Sequence, residues 1–282
     1  MKKTLYLCLL LIFIFACSKS SNTTPGGTNN TSAIEIKTQL QLTYAQQNAA
    51  HPYDSSFTSF TYDSQNRMLS FTVMDWNNST GTTVVTNYQV KISYGQGMIT
   101  YATYLNGSAT AFQQYVYYPN TSTLLTDSAI HQVAANNVWY TFEREKYSYA
   151  NGYASTADTT FYNVASNSVT GTNHASYTWS NGDLLSVFTQ GTNGTSSSNY
   201  TYYTQPPAVV VTGLSGPFYV KGITLTSNYP KTDVTTINGN AYQSWTYTFT
   251  TDNSNRITSS KWIVNGPSFP NAPYILTNFT YY

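Results

Sequence analysis

"FTYDSQNRMLSF" occupies residues 60–71, and "YTFTTDNSNRITSS" at 247–260 repeats its pattern. In the first copy, Phe60 and Tyr62 alternate with polar residues and lead into Asp63-Ser64-Gln65-Asn66; Met68, Leu69 and Phe71 then carry the chain back. Asp bonds its own backbone in a tight turn and Asn tolerates the left-handed conformation, so the stretch reads as a β-hairpin. The same grammar recurs as "ISYGQGMITY", "VYYPNTSTLL", "YSYANGYAST" and "YTWSNGDLLSV". The last aromatic before each turn is Tyr62, Tyr94, Tyr117, Tyr149, Trp179, Tyr202, Phe249 and Tyr281. A period of about 30 residues suits two strands, a tight turn and a longer loop. The wide gap from Tyr202 to Phe249 leaves room for an extra hairpin or a loop insertion near 205–240. "NNSTGTTV", "VASNSVTGTNH", "GTNGTSSSN" and "NGPSFPNAP" fall between the hairpins and predict a long-loop edge opposite the tight turns.

The flanking segments have period two. "AIEIKTQLQLTY" puts Ile34, Ile36, Leu40, Leu42 and Tyr44 on one face and Glu35, Lys37, Gln39, Gln41 and Thr43 on the other, an arrangement a strand can use and a helix cannot. The chain is 16% aromatic and only 8% charged, a mixture suited to pleated, half-wet β surfaces. With 40% apolar residues it can also bury a large core. The expected fold is a single all-β domain over 34–282, an antiparallel meander of roughly 14 to 18 strands that twist curls into a barrel or half-barrel.

The N-terminus gives an address. Lys2 and Lys3 precede an apolar run from Leu5 to Phe15, too short to span a bilayer as a helix, so 1–16 reads as a secretory signal. "IFAC" at 14–17 resembles a bacterial lipobox, which implies acylation of Cys17. The polar segment 17–33 then serves as a flexible tether. Cys8 leaves with the leader, so the mature chain has no disulfide. Without Lys2 and Lys3, ten basic residues face 11 acidic ones, which makes nucleic acid an unsuitable partner. The expected location is the outer membrane, lipid-anchored; the residues after Cys17 leave open whether the periplasmic or the surface side, and the oligomeric state is equally open.

"FTYDSQNR" and "TTDNSNRI" resemble the tyrosine-aspartate (YD) repeats of Rhs-type shells. Across 34–282, lipobox, tether and hairpins of the Y-x-Y-D-x-x-N-R-L kind resemble a Bacteroidota lipoprotein family of unknown function with a porin-like fold. That resemblance implies the architecture and brings no activity.

Chemistry is sparse. His51, His131 and His174 are scattered, which favours solvated loop histidines over a zinc site, and no metal, cofactor or catalytic motif appears. Glu143 and Glu145 imitate a glycosidase pair, although two residues on one strand face more often serve cross-strand ion pairs. A cluster of both with a histidine in one cleft would revive an enzyme. Asp63 and Asp252 lack the further acidic ligands of a calcium loop. Trp76, Trp139, Trp179, Trp245 and Trp262 are the candidate ligand-binding residues, since flat faces with an N–H edge stack on sugar rings. A membrane-crossing barrel meets an obstacle at "VWYTFEREKYSY", where either strand face would show lipid two charges. The basic pair alone would cost up to about 2–4 kcal/mol per residue near the midplane. The sequence thus favours a non-catalytic, lipid-anchored envelope protein binding a glycan or another amphipathic envelope ligand. A structural or adhesive surface protein is the alternative, and an integral outer-membrane pore the third.

Overall fold

The computed structural model describes residues 36–64, 67–77, 84–95, 97–105, 107–120, 122–123, 125–204, 228–254 and 256–282, with the backbone of 13–15 and 213–215. Cys17 and the rest of the 17–33 tether lie outside the described residues, as does most of the leader. Every described regular element is a strand. Two short ones, β1 (Phe13–Phe15) and β14 (Gly213–Ser215), pair with each other. The other sixteen form a closed barrel: β2 (Ile36–Tyr44), β3 (Asp54–Tyr62), β4 (Met68–Asn77), β5 (Val84–Gly95), β6 (Met98–Leu105), β7 (Gln113–Pro119), β8 (Thr126–Ala135), β9 (Val138–Ala150), β10 (Tyr153–Tyr162), β11 (Val169–Ser180), β12 (Asp183–Gly191), β13 (Gly194–Tyr202), β15 (Pro230–Ile237), β16 (Asn240–Thr251), β17 (Ile257–Asn265) and β18 (Tyr274–Tyr281). Each pairs antiparallel with its neighbours in sequence, and β18 closes onto β2 with Leu276 opposite Leu42. Closure leaves no unpaired strand edge in the barrel.

The repeated sentence has a repeated structure. Asp63 accepts the Arg67 backbone N–H and its Nε–H at 2.9 and 2.7 Å, while the Asp63 N–H donates to the Arg67 carbonyl at 2.9 Å. Asp252 and Arg256 do the same at 3.0, 2.7 and 2.9 Å. Each guanidinium then lies over the ring of an anchor tyrosine on the neighbouring hairpin, Arg67 over Tyr94 and Arg256 over Tyr281. That tyrosine's O–H donates to the carbonyl of the residue just after the Arg, Tyr94 to Met68 and Tyr281 to Ile257. Tyr62, Tyr149, Trp179 and Tyr202 make the corresponding bonds to Ile36, Thr126, Ala154 and Leu184. The aromatic anchor therefore sews one hairpin to the next around the tight-turn rim.

Asn-Gly turns at 151–152, 181–182 and 238–239 place both residues at positive φ, the primed geometry that matches strand twist. The long-loop edge is only partly as expected: 136–137, 192–193 and 238–239 are tight turns there, and "GTNGTSSSN" pairs as strand rather than looping out. The wide repeat gap is an insertion, 203–229, between directly paired β13 and β15, and it leaves from the tight-turn rim.

Nearly all buried strand residues, Val116 and Asp183 excepted, lie on one face of the sheet, which is therefore the lumen. Phe60, Phe71, Val73, Val90, Ile92, Tyr101 and Tyr117 form its apolar cluster. On β2 the expected grouping fails: Ile36 shares the inner face with Gln39 and Gln41, and Leu40, Leu42 and Tyr44 point outward. A register shift at Thr280/Tyr281 inserts a residue after Ile36 and flips the alternation. Across β11 to β17 the outer wall is hydroxyl-rich, one rung reading Thr178, Ser186, Asn199, Val234, Ser244, Asn265. Cross-strand hydroxyl bonds such as Thr201–Thr232 (2.6 Å) and Thr250–Ser259 (2.7 Å) tie these rows.

Candidate functional site: the barrel lumen

Period-two alternation carries every second residue into the lumen, and the register decides which of them meet. Three groups of carboxylates and aromatics result.

The first lies on β2, β3 and β4. Gln41, Ser56 and Asp75 share a rung, and Asp54 faces Thr43 and Asn77 one rung away. Asp54 is 4% exposed; its Oδ2 accepts a long bond from Asn77 Nδ2 (3.5 Å), and its Oδ1 has no partner. Gln39, 2% exposed, has an equally unpartnered Oε1. Burial pushes the Asp54 carboxyl up to about 6, helped by the charge of Asp75 and opposed by the Ser55 N–H. Burial also raises Asp75, and burial with the Asp75 charge pushes the Tyr88 phenol up to about 12.

The second group spans β7 to β11. Glu143 and Glu145 point inward while Arg144 and Lys146 point outward, the split expected from the sequence. His131 faces Glu143 across β8 and β9, with Nδ1 3.9 Å from its carboxylate, and stacks on Tyr115 at 3.8 Å. Tyr147 donates a short hydrogen bond to Glu145. Burial pushes Glu145 up to about 7, with the Tyr147 bond opposing and Glu143 adding. Ala157 and Ala175 continue the Tyr147 rung, leaving its ring room.

The third group is on β13, β15 and β16, where Tyr200, Asp233 and Trp245 share one rung. Burial pushes Asp233 up to about 6 against a hydrogen bond from Thr235. Tyr247, next along the wall, packs edge-on against Trp262.

Of the tryptophans singled out, Trp245 and Trp262 face the lumen, Trp179 is spent on the rim bond to Ala154, and Trp76 and Trp139 lie on the outer wall. They do not form one platform. The histidines depart from the expected solvated loops: His51 is in a loop, but His131 is a half-buried strand residue and His174 sits on the outer wall of β11, 2.7 Å from Asp158. No group of three metal-ligating side chains occurs among the described residues. Sequence reasoning missed Asp54, Asp75 and Asp233 as lumen groups. Their only signal was a carboxylate in step with the inward aromatic residues of its own or the paired strand, Asp54 with Phe60 and Asp75 with Phe71.

Basic residues are kept out of the lumen. Among the described residues, Asp54, Asp75, Glu143, Glu145 and Asp233 face the lumen from the strands, and no Lys or Arg does. Lys91, Arg144, Lys146 and Lys261 are on the outside; Lys37 and Lys231 are exposed at strand ends, and Arg67 and Arg256 sit in turns.

No protein-family model and no curated protein matches the chain. Solved structures share the fold, two of them porin-like proteins. A porin-like protein from Bacteroides uniformis ATCC 8492 superposes with a TM-score of 0.57 at 14% identity, covering 88% of this chain and 98% of its own. A porin-like protein from Bacteroides vulgatus ATCC 8482 gives 0.54 at 11% identity with the same coverage. The chain is thus an all-β, closed sixteen-stranded barrel of porin-like fold.

Proposed function

We propose that this chain is a non-catalytic, lipid-anchored cell-envelope protein whose barrel stands in water and holds an amphipathic envelope ligand in its lumen. The carrying observation is the polarity of the wall. A membrane barrel shows lipid an apolar band about 25 Å tall around its whole circumference. Here Asp158, His174, Lys91, Arg144, Lys146 and Lys261 lie on the outside with rows of Ser, Thr and Asn, and the aromatic cluster lies within. An outward apolar patch, with Leu42, Trp76 and Val85 on one rung and Leu40, Phe57 and Met74 on the next, is confined to the β18–β5 side. It does not encircle the barrel. The porin-like neighbours support an envelope setting, and the "IFAC" segment supports the anchor at Cys17.

Fractionation of Cys17→Ser tests the compartment: release into buffer is expected, and retention until detergent is added would favour an integral pore. Thermal-shift screening of glycans and lipids tests the binding half, which falls if every compound is blank at millimolar concentration.

A second reading follows from the meeting of His131, Glu143 and Glu145 in one lumen group. A carboxyl held near neutrality beside a second carboxylate is the arrangement of an acid–base pair in glycoside hydrolysis. Hydrolysis of aryl glycosides that is lost in both Glu143→Gln and Glu145→Gln would establish it.

A further inference from the structure

We infer that the lumen wall of β2, β3 and β4 is a binding site for an organic cation, an ammonium or amidinium group carried on an apolar body, with Asp54 and Asp75 as its counter-charges. This deepens the lumen-binding reading above and rests on it. Two carboxylates lie one rung apart on the inner wall, facing polar neighbours only: Thr43 and Asn77 for Asp54, Ser56 and Thr86 for Asp75. None of these supplies a positive charge. A buried acceptor without a donor is destabilising, more so when charged. Yet Asp54 Oδ1 and Gln39 Oε1 are both buried and unpartnered. Both need donors, and what both lack is an N–H or O–H from outside the described wall. A neutral sugar could give the hydrogen bond, but it would leave two adjacent carboxylates uncompensated. A bare divalent ion is a poorer fit, since no third His, Cys, Asp or Glu joins them among the described residues.

The rest of the lumen favours the same charge and adds the apolar body. Tyr88, Val73 and Phe71 continue along the wall from Asp75, and aromatic faces attract cations through their quadrupole. At the third group, Tyr200 and Trp245 flank Asp233 on a single rung, the same pairing of carboxylate and aromatic faces. No lumen-facing Lys or Arg among the described residues competes for any of these groups. Lys19 and Lys221 lie outside the described residues, and Lys221, on the 203–229 insertion, is the rival cation to be tested.

The test is titration of the full mature chain, by calorimetry and tryptophan fluorescence, with dodecyltrimethylammonium, dodecyl maltoside and calcium chloride, each amphiphile below its micelle concentration. The expected result is binding of the ammonium amphiphile at least tenfold tighter than the maltoside. Asp75→Asn should weaken it at least tenfold without moving maltoside binding, and Asp54→Asn should do the same where it folds. Asp75 is only half-buried, so its variant keeps the test open if Asp54→Asn does not fold. Equal binding of the two amphiphiles, unaffected by Asp75→Asn, overturns the cation site and leaves lumen binding standing. No binding of either overturns both. Calcium binding that Asp75→Asn abolishes, or loss of the Asp75→Asn effect in a Lys221→Gln background, also overturns it.

Discussion

Raising the pH from 5 to 8 should make this barrel less stable, opposite to the common behaviour of proteins whose carboxylates are salt-bridged. Asp54 and Asp233 are raised from 3.8 to about 6 and Glu145 from 4.5 to about 7, each chiefly by burial. Because the folded pKa lies above the unfolded one, the folded chain holds the proton more tightly. The stabilisation is complete below pH 4 and is lost as the pH rises through 6 to 7. A pKa difference of about 2 corresponds to about 3 kcal/mol for one group before solvent reaching the lumen is allowed for. Between pH 5 and 8 the three groups together would lose about 5 kcal/mol before coupling and screening, which reduce it to about 2–4 kcal/mol, and at about 2–4 °C per kcal/mol the melting temperature should fall by about 10 °C. Asp252, lowered by its bonds from Arg256, works in the other direction and blunts the effect at the acid end. The assay is thermal denaturation followed by circular dichroism from pH 5 to 8 at constant ionic strength, on the parent chain and on Glu145→Gln. A melting temperature that climbs with pH, or a slope unchanged in Glu145→Gln, would refute the reasoning.

Removing single atoms tests the rim. Tyr94→Phe keeps the ring under Arg67 and deletes the O–H to Met68, and should cost about 1 kcal/mol in urea denaturation. Asp63→Ala removes two hydrogen bonds from Arg67 and should cost about 1–2 kcal/mol; a double-mutant cycle with Tyr94→Phe should show coupling, because Arg67 touches both. Gly152→Ala meets no atom within 4 Å, so its cost of about 1 kcal/mol should come only from the positive φ of 81°. Phe60→Ala opens the centre of the lumen cluster and should cost about 3–5 kcal/mol, read from the same urea midpoints.

The predicted pH dependence and the cation site share one physical fact: carboxylates face the lumen beside its aromatic residues and no Lys or Arg among the described residues joins them there. The hairpins themselves were legible. Tyr62, Tyr94, Tyr149 and Tyr281 stand out before their turns because a rim hydroxyl must reach the next hairpin's backbone, so a local feature records a tertiary bond. "GTNGTSSSN" was misread because Ser and Thr suit loops in isolation, whereas in the barrel Ser198 bonds Thr235 across β13 and β15.

What residue order alone determined was the local grammar: period-two strands, tight turns led by Asp or carrying Asn and Gly, and an antiparallel meander whose length obliges a sheet to curl. Those are short-range consequences of pleat geometry and turn chemistry. Only the tertiary structure decided which face became the lumen, since a single inserted residue after Ile36 reverses every later side chain on β2, putting Gln39 inside and Leu40 outside. Within the β8–β9 and β3–β4 hairpins the same register set His131 opposite Glu143 and Asp75 one rung from Asp54. Inside and outside exist only once the last strand meets the first, because until Leu276 pairs with Leu42 both faces of the sheet are open to water.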